Sequence, residues 1–318
     1  MNTHTRNTGI PLDLAWVNDT QVNPSATQRR AKTLGTRRSV KKEWQAAWLL
    51  RAVTCIDLTT LAGDDTRSNV QRLAAKARQP VRKDILEALG MGDMKLTTGA
   101  VCVYHERIPD ALEILEGTDI PVAAVSTGFP AGLSPFKQRI QEIKESVALG
   151  AKEIDIVITR EHVLRGKWEA LYNEVCEMRA ACGEAHMKTI LATGELGPLW
   201  NVAKASKVCM MAGADFIKTS TGKESVNATL EFGLIMTRTI REYLAMTNFK
   251  IGFKPAGGIR TAKDAITWQV LMKEELGDEW LKNDLFRYGA SSLLTDIERQ
   301  LSHHVTGRYA AKHHMPMG

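Results

Sequence analysis

Residues 215–223 read DFIKTSTGK, a short apolar stretch that carries Lys218 in its middle and ends in small polar residues. A lysine is almost never fully buried without a partner, because taking its ammonium out of water is costly. Lys188 in MKTILAT and Lys254 in KIGFKPAGG occupy similar apolar stretches. Three lysines placed in this way indicate an amine-based site.

Eight segments have the composition of short strands, and most of them are separated by segments with helical periodicity. They are AVTCIDLTT (52–60), GAVCVY (99–104), VAAVST (122–127), EIDIVI (153–158), MKTILAT (187–193), DFIKTST (215–221), KIGFKPAG (250–257) and FRYGASSL (286–293). The alternation predicts the α/β class, and the count of eight favours a closed (β/α)8 TIM barrel over an open doubly wound sheet. No GxGxxG fingerprint follows the first strand, which weakens the dinucleotide-binding alternative.

The length of 318 residues fits one such barrel with extensions. We predict an N-terminal arm and helix over residues 1–40, the barrel over 41–301 and a polar C-terminal tail over 302–318. No apolar run approaches the roughly 20 residues that span a bilayer, and the N-terminus lacks the apolar core of a secretory signal. The five cysteines are dispersed without CxxC spacing and read as reduced thiols. We therefore expect a cytoplasmic protein with no membrane partner.

The net charge of +6 is unevenly distributed. A basic segment between Arg29 and Lys42 contains no acidic residue, and its cations are Arg29, Arg30, Lys32, Arg37, Arg38, Lys41 and Lys42. Nucleic acid could bind such a segment. Because no aromatic residues are interleaved and no nucleic-acid motif accompanies the charge, we favour a solvated helical face and expect no nucleic-acid partner.

Period-two alternation assigns side chains to the two faces of each predicted strand. In EIDIVI, the isoleucines face the helices, whereas Asp155 and Val157 point into the barrel. The same rule turns six polar side chains inward from six different strands, namely Asp57, Cys102, Asp155, Lys188, Lys218 and Lys254. In β/α barrels the catalytic groups come from the carboxyl ends of several strands, so this scatter predicts an active site.

A lysine amine is almost wholly protonated at neutral pH and cannot attack a carbonyl. A second cation on the neighbouring strand, together with desolvation, lowers the pKa of the amine. Lys218 is thus the candidate Schiff-base nucleophile, Lys254 the cation that keeps it neutral and a proton donor or acceptor, and Asp155 the carboxylate that transfers protons through water. The alternative is that each lysine snorkels or closes a structural ion pair, which is harder to sustain for three lysines on consecutive strands.

Glycine-rich loops after the last predicted strands indicate a phosphate site. Gly257 and Gly258 follow the seventh strand, and GASS (289–292) follows the eighth and opens a helix. These are the loops where β/α barrels bind phosphate through backbone N–H groups and a helix N-terminus. Gly222 and Lys223 close the same end after the sixth strand. Glycine pairs also occur as plain turns, and only their place beside the lysines favours phosphate.

Several of these segments together resemble deoxyribose-phosphate aldolases, in order and over roughly residues 40 to 300. They are CIDLTTL, AVCVY, EIDIVI, TGEL, DFIKTSTGK, FKPAGGIR and FRYGASSLL. The tail HHVTGRYAA is similar to that of the longer form found in animals. The resemblance implies a class I aldolase without metal or other cofactor that cleaves 2-deoxy-D-ribose 5-phosphate to D-glyceraldehyde 3-phosphate and acetaldehyde.

The resemblance also implies the roles of individual residues. The Schiff-base lysine falls on Lys218, its partner lysine on Lys254 and the proton-transfer aspartate on Asp155. We expect substrate contacts at Asp57, Cys102, Lys188 and Thr221, and phosphate contacts at Gly222, Lys223, Gly257, Gly258, Gly289, Ser291 and Ser292.

Some alternatives stay open. A transaldolase or a class I hexose-phosphate aldolase would share the inward lysine, and a metal-dependent aldolase would need ligands such as the tail histidines His303, His304, His313 and His314. His105 stands where many members of the family carry proline, and we assign it no catalytic role. We expect a homo-oligomer.

Overall fold

A computed structural model describes residues 6–315 of the chain. Eight parallel strands lie in the order β7-β6-β5-β4-β3-β2-β1-β8. Their bounds are β1 Ile56–Thr59, β2 Ala100–Tyr104, β3 Val122–Val125, β4 Glu153–Val157, β5 His186–Ile190, β6 Phe216–Lys218, β7 Gly252–Lys254 and β8 Tyr288–Ala290. Parallel bridges from Phe253 to Phe286 and from Ala256 to Gly289 join the two edges of this sheet. The prediction of a closed β/α barrel is confirmed.

Helices surround the barrel and connect its strands. Their bounds are α1 Leu14–Asn18, α2 Pro24–Leu34, α3 Lys42–Thr54, α4 Arg67–Arg78, α5 Lys83–Ala88, α6 Ile108–Leu115, α7 Phe136–Ala148, α8 Arg160–Leu164, α9 Trp168–Ala181, α10 Leu199–Met211, α11 Leu230–Thr247, α12 Ala262–Glu275 and α13 Ser292–Thr306. Short 3-10 helices lie at His105–Arg107, Thr193–Glu195, Asp278–Trp280 and Lys312–His314. Within residues 6–315, none of the helices combines the length and the apolar character that crossing a bilayer requires.

The alternation within the strands divides the interior into two cores. Outward side chains such as Ile154 and Ile156 are fully buried in the large apolar core between the strands and the helices. Inward side chains such as Val157 and Ile190 belong to a separate small cluster inside the barrel. The outer core carries the stability that apolar burial supplies, which leaves the interior of the barrel free to hold charged groups.

The described residues near both ends of the chain pack onto the rest of the protein. The Asn7 side chain donates to the carbonyls of Met210 and Ala214, at 2.7 and 2.9 Å. The expected arm and helix of residues 1–40 contain two helices, α1 and α2, and α13 continues through the predicted boundary at 301 as far as Thr306. Met315 is buried. Residues 1–5 and 316–318, at the two ends of the predicted extensions, lie outside the described residues.

Candidate active site

Lys218 is the last residue of β6, so its side chain enters the barrel at the carboxyl end of the strands. The register places it between Ile190 of β5 and Lys254 of β7. The side chain is 3% exposed and belongs to the wall of a cavity that opens at this end of the barrel. Lys218 is therefore buried yet accessible to a small molecule in that cavity.

Asp155, on β4, joins the three inward lysines. Its Oδ2 atom accepts from Lys218 Nζ and from Lys254 Nζ, both at 2.8 Å, and its Oδ1 atom accepts from Lys188 Nζ at 3.0 Å. All four side chains are at most 3% exposed. One buried carboxylate thus contacts all three amines.

Two further charged residues complete this interior cluster, and the sequence analysis missed both. Arg287 donates to Asp57 Oδ1 at 2.6 Å and to Glu153 Oε1 at 2.9 Å. Glu153 also accepts from Lys188 Nζ at 2.5 Å, and Asp57 accepts from Lys254. The alternation of side chains along a strand could have identified them. Glu153 lies two residues before Asp155, and Arg287 lies two residues before the inward Gly289, so each shares its neighbour's face.

The surroundings of the three lysines shift their pKa values in different directions. Burial lowers the pKa of Lys218, and the Lys254 ammonium lowers it further against the attraction of Asp155. Burial acts on Lys254 in the same sense, but Asp155 and Asp57 outweigh it and raise the pKa of Lys254. The pKa of Lys188 is raised in the same way, by Asp155 and Glu153 against burial. Among the three, Lys218 is the amine that loses its proton most readily.

Burial alone would raise the pKa of Asp155, but the ammonium groups of Lys188, Lys218 and Lys254 hold it well below its usual value. Asp155 is consequently a carboxylate at neutral pH. Its 2.8 Å contacts with both Lys218 and Lys254 give a proton a direct path between the two amines.

Part of the barrel interior is apolar. Its inward cluster consists of Ala100, Cys102, Ala123, Val125, Phe129, Val157 and Ile190. The rings of Tyr104 and Phe129 lie 5.7 Å apart in an edge-on arrangement beside this cluster. Cys102 is 1% exposed, and burial raises the pKa of its thiol. Cys102 thus forms part of a small apolar wall and remains an uncharged thiol.

A cavity of about 570 Å³ lies above the cluster. It brings together most of the predicted phosphate residues and Thr221 beside Lys218; the lining includes Lys218, Thr221, Gly222, Lys223, Gly257, Gly289, Ser291 and Ser292. Gly258 does not line it and is exposed. Five predicted residues are also absent from the lining, namely Asp57, Cys102, Asp155, Lys188 and Lys254, although Asp155 contacts Lys218, which lines the cavity. Asn69 and Arg72 of α4 line the cavity as well and were missed.

The loops around the cavity have glycine where the backbone requires it. Gly222 and Gly257 have φ angles of +91° and +81°, which residues other than glycine rarely adopt. A Cβ atom on Gly257 would lie 2.6 Å from Asn227 Cγ. The N–H groups of Thr221 and Gly222 donate to the Glu224 carboxylate at 3.0 to 3.1 Å, so the N–H of Gly222 already has a partner inside its own loop.

The start of α13 faces the same cavity. Ser291 precedes the helix without a side-chain cap, and Ser291, Ser292 and Thr295 all line the cavity. The first amide groups of a 15-residue helix and its dipole attract anions. The cations Arg72 and Lys223 stand in the same lining and are exposed. The cavity therefore suits a molecule with a reactive carbonyl at Lys218 and an anionic group towards α13.

Comparison with known proteins assigns the chain to a family. Residues 51–296 match the model of the DeoC/LacD family aldolases. The chain belongs to the DeoC/LacD aldolase family. A deoxyribose-phosphate aldolase from Mus musculus is 64% identical over 97% of this chain and 98% of its own length. One from Homo sapiens is 62% identical over the whole of both chains.

The solved structure of the deoxyribose phosphate aldolase from Aeropyrum pernix has the same fold as this DeoC/LacD family member. The TM-score is 0.61 at 22% identity, over 86% of this chain and 98% of that one. At this identity the comparison concerns the fold alone. It agrees with the barrel described above.

In this DeoC/LacD family member, His105, His303, His313 and His314 contact groups outside the lysine cluster. His105 Nδ1 is 3.5 Å from Glu142 Oε1, and Glu142 also accepts from the Gly128 N–H at 2.8 Å. In the tail, His303 stacks on Tyr309 with ring centroids 4.4 Å apart. Across residues 6–315 there is no group of three or more His, Cys, Asp or Glu side chains placed to hold a metal ion.

Proposed function

We propose that the chain catalyses the reversible retro-aldol cleavage of 2-deoxy-D-ribose 5-phosphate to D-glyceraldehyde 3-phosphate and acetaldehyde through a Schiff base on Lys218. The observation that carries this proposal is a buried lysine whose pKa burial lowers, at the floor of a cavity whose far side suits an anion. The names of the mouse and human relatives support the choice of substrate.

The first step follows from the state of Lys218. Its neutral amine attacks the C1 aldehyde of the open-chain sugar, and loss of water leaves an iminium ion. The hydroxyl group of the first adduct must be protonated before it leaves as water. The Lys254 ammonium, which shares Asp155 Oδ2 with Lys218, is in position to supply this proton. The iminium then withdraws electrons from the bond between C2 and C3.

Carbon–carbon cleavage needs a base at the C3 hydroxyl. The Asp155 carboxylate, kept ionised by the lysines around it, accepts that proton through a water molecule. The electron pair of the C2–C3 bond moves to form an enamine on Lys218, and C3 leaves as the aldehyde of glyceraldehyde 3-phosphate. Protonation of the enamine at C2 and hydrolysis release acetaldehyde and return Lys218 to its neutral form.

The two sides of the site suit the two products. The two-carbon fragment stays on Lys218, near the small apolar wall that contains Cys102. The phosphate extends towards α13, where Ser291, Ser292, Lys223 and Arg72 line the cavity. Backbone amides, a helix dipole and cations together bind phosphate in proteins. We assign Gly257 and Gly289 to this site because both line it, and Gly258 only as a support of the turn.

The experiment that tests the proposal is reductive trapping. Incubation with acetaldehyde and borohydride should attach a reduced two-carbon adduct to Lys218, detected by peptide mass spectrometry. Lys218→Met is the matched variant that should remain unlabelled, whereas Lys223→Met, which removes the exposed lysine of the same cavity, should label normally. An adduct on another lysine, or none, contradicts the Schiff-base assignment.

Product analysis separates this reaction from those of other Schiff-base barrels. Incubation with 2-deoxyribose 5-phosphate should produce acetaldehyde, which coupled reduction by an alcohol dehydrogenase detects. Cleavage of a ketose phosphate instead would favour a transaldolase or a hexose-phosphate aldolase. Activity lost on addition of EDTA and restored by a divalent metal would favour a metal-dependent aldolase.

Broader features of the protein remain proposals of the same kind. We propose a role in the catabolism of deoxyribose phosphate from deoxynucleosides, in the cytoplasm, which the five unpaired cysteines favour. We propose that residues 41–301 form the catalytic barrel and that residues 1–40 and 302–318 are extensions of it. A homo-oligomer is supported by exposed apolar side chains such as Trp44, 74% exposed, and light scattering tests it.

A further inference from the structure

Arg287 is a buried cation that the reaction steps above do not use. It immediately precedes β8 and is 2% exposed. Its guanidinium donates to Asp57 at 2.6 Å and to Glu153 at 2.9 and 3.3 Å. Gly99 makes room for it, because a Cβ atom there would lie 3.2 Å from Arg287 Cδ. Arg287 is therefore a fully buried, paired cation in the barrel interior rather than a charge solvated by water.

The charges inside the barrel do not balance if every group is ionised. Within residues 6–315 the connected cluster has four basic side chains, Lys188, Lys218, Lys254 and Arg287, and three acidic ones, Asp57, Glu153 and Asp155. An unpaired buried charge is expensive, so the cluster is most stable with one basic group neutral. An arginine side chain stays protonated in proteins, so the neutral group is a lysine.

The contacts decide which lysine this is. Lys188 and Lys254 each contact at least two carboxylates, whereas Lys218 contacts only Asp155 among the carboxylates of residues 6–315. The nearby thiols of Cys55 and Cys102 have a pKa raised by burial and stay neutral. His186, at the start of β5, has a pKa lowered by burial and adds no cation at neutral pH.

We propose that Arg287 is a positioning residue that engages Asp57 and Glu153, so that the carboxylates available to the three lysines are one too few and Lys218 is left as the neutral amine. The inference rests on the proposed function only in naming Lys218 as the nucleophile. In this arrangement the Lys254 ammonium repels a proton on Lys218 directly, because the two amines are adjacent. Arg287 affects the ionisation of Lys218 indirectly, because it adds one positive charge to the cluster.

The charge count predicts shifts of opposite sign for the two partners. Arg287→Met leaves three cations for three carboxylates, so Lys218 keeps its proton and its titration midpoint rises by about one unit. Glu153→Gln leaves four cations for two carboxylates, so the midpoint falls. The double variant restores an excess of one cation, and its midpoint returns towards that of the unmodified protein. Arg287→Lys keeps the cation and is the matched control.

The midpoint is measured without the reaction. Competitive labelling of the full chain with acetic anhydride at a series of pH values, followed by peptide mass spectrometry, reports the ionisation of Lys218, which lines the open cavity. Circular dichroism checks that each variant is folded. If Arg287→Met does not fold because it leaves the buried Glu153 carboxylate without its arginine partner, the midpoints of Glu153→Gln and of the double variant still test the proposal.

The outcomes are separable. The proposal is supported if the Lys218 midpoint shifts in opposite directions in the two single variants and returns in the double variant. The rise of kcat/KM with pH on the acid side of its profile, its acid limb, should then move with the labelling midpoint. Shifts of the same sign, no shift, or a shift in Arg287→Lys as large as that in Arg287→Met overturn it. If the labelling midpoint moves while the acid limb does not, the inference holds and the assignment of Lys218 as nucleophile fails.

Discussion

Two regions of the molecule are rich in lysine and arginine, and their charges are arranged differently. Inside the barrel, Lys218 shares its single carboxylate partner with two other lysines, away from solvent. On the surface, the basic segment of residues 29–42 lies against the acidic end of α12. Arg30 donates to Glu274 at 2.7 Å, and Arg37 and Arg38 approach the same carboxylate to 3.6 and 3.4 Å.

The difference teaches that burial and the number of carboxylate partners decide what a cation does. Arg37 and Arg38 are about 40% exposed, with side-chain exposures of 39% and 42%, so water solvates them and their ion pairs contribute little. Lys218 is buried, and burial together with the Lys254 ammonium lowers its pKa against the attraction of Asp155. The dense cluster of charge in the sequence is solvated, whereas the dispersed lysines are buried together inside the barrel.

The largest expected effect comes from removing the amine. Lys218→Met should abolish cleavage of 2-deoxyribose 5-phosphate, because Lys218 is the one amine among the described lining residues that contacts Asp155. The measurement is kcat/KM with a coupled acetaldehyde assay. Activity in Lys218→Met comparable to that of the unmodified chain would show that the interior lysines are merely structural ion pairs.

Asp155→Asn should leave a slow enzyme. Loss of general acid–base catalysis typically costs about 10² to 10⁴-fold in rate, and the amide cannot accept the C3 hydroxyl proton. We expect kcat to fall by this amount while the reductive adduct on Lys218 still forms. Loss of the adduct together with kcat would mean that Asp155 is needed to hold Lys218 in place rather than to transfer protons.

Lys254→Met should displace the pH profile. Lys218 reacts as the neutral amine, so kcat/KM rises with pH through the Lys218 pKa. Removing the adjacent ammonium raises that pKa and moves the acid limb to higher pH, by about one unit. Lys254→Arg retains the charge and should leave the limb near its original position. An acid limb that stays in place in Lys254→Met would contradict the electrostatic role of Lys254.

The phosphate site should respond more modestly. A hydrogen bond to a charged group contributes about 1.5 to 3 kcal/mol, so Lys223→Met or Arg72→Met should raise KM about tenfold or more and change kcat little. Deoxyribose without its phosphate is the control substrate, and its weak turnover should be the same in both variants and the unmodified chain. Equal losses on both substrates would place these residues outside phosphate binding.

The basic segment should give the smallest effect. Arg30→Ala removes partly exposed ion pairs with Glu274 and Glu275 and should lower the free energy of unfolding by about 1 kcal/mol or less, with kcat/KM unchanged. Denaturant unfolding measures the first quantity. Salt-dependent retention of the unmodified chain on immobilised nucleic acid, lost on neutralising the segment, would instead reveal a binding surface.

Much of the barrel was predictable because its signals are local. Period-two alternation turns Asp155 and Val157 inward and the neighbouring isoleucines outward, and the structure has them so. Glycines at positive φ mark the turns around the cavity. Which of two adjacent glycines faces a ligand is not local, and of the pair after β7 only Gly257 lines the cavity.

By itself the sequence determined the eight strands and the inward lysines, because strand period and residue type are properties of short segments; the amine chemistry stays a prediction from them. Only the tertiary structure decided that Arg287 reaches Asp57 and Glu153 across the barrel and that Lys218 has one carboxylate partner in the described part of the chain. The ionisation of a buried group depends on every charge within a few ångströms, and those charges come from strands far apart in the chain.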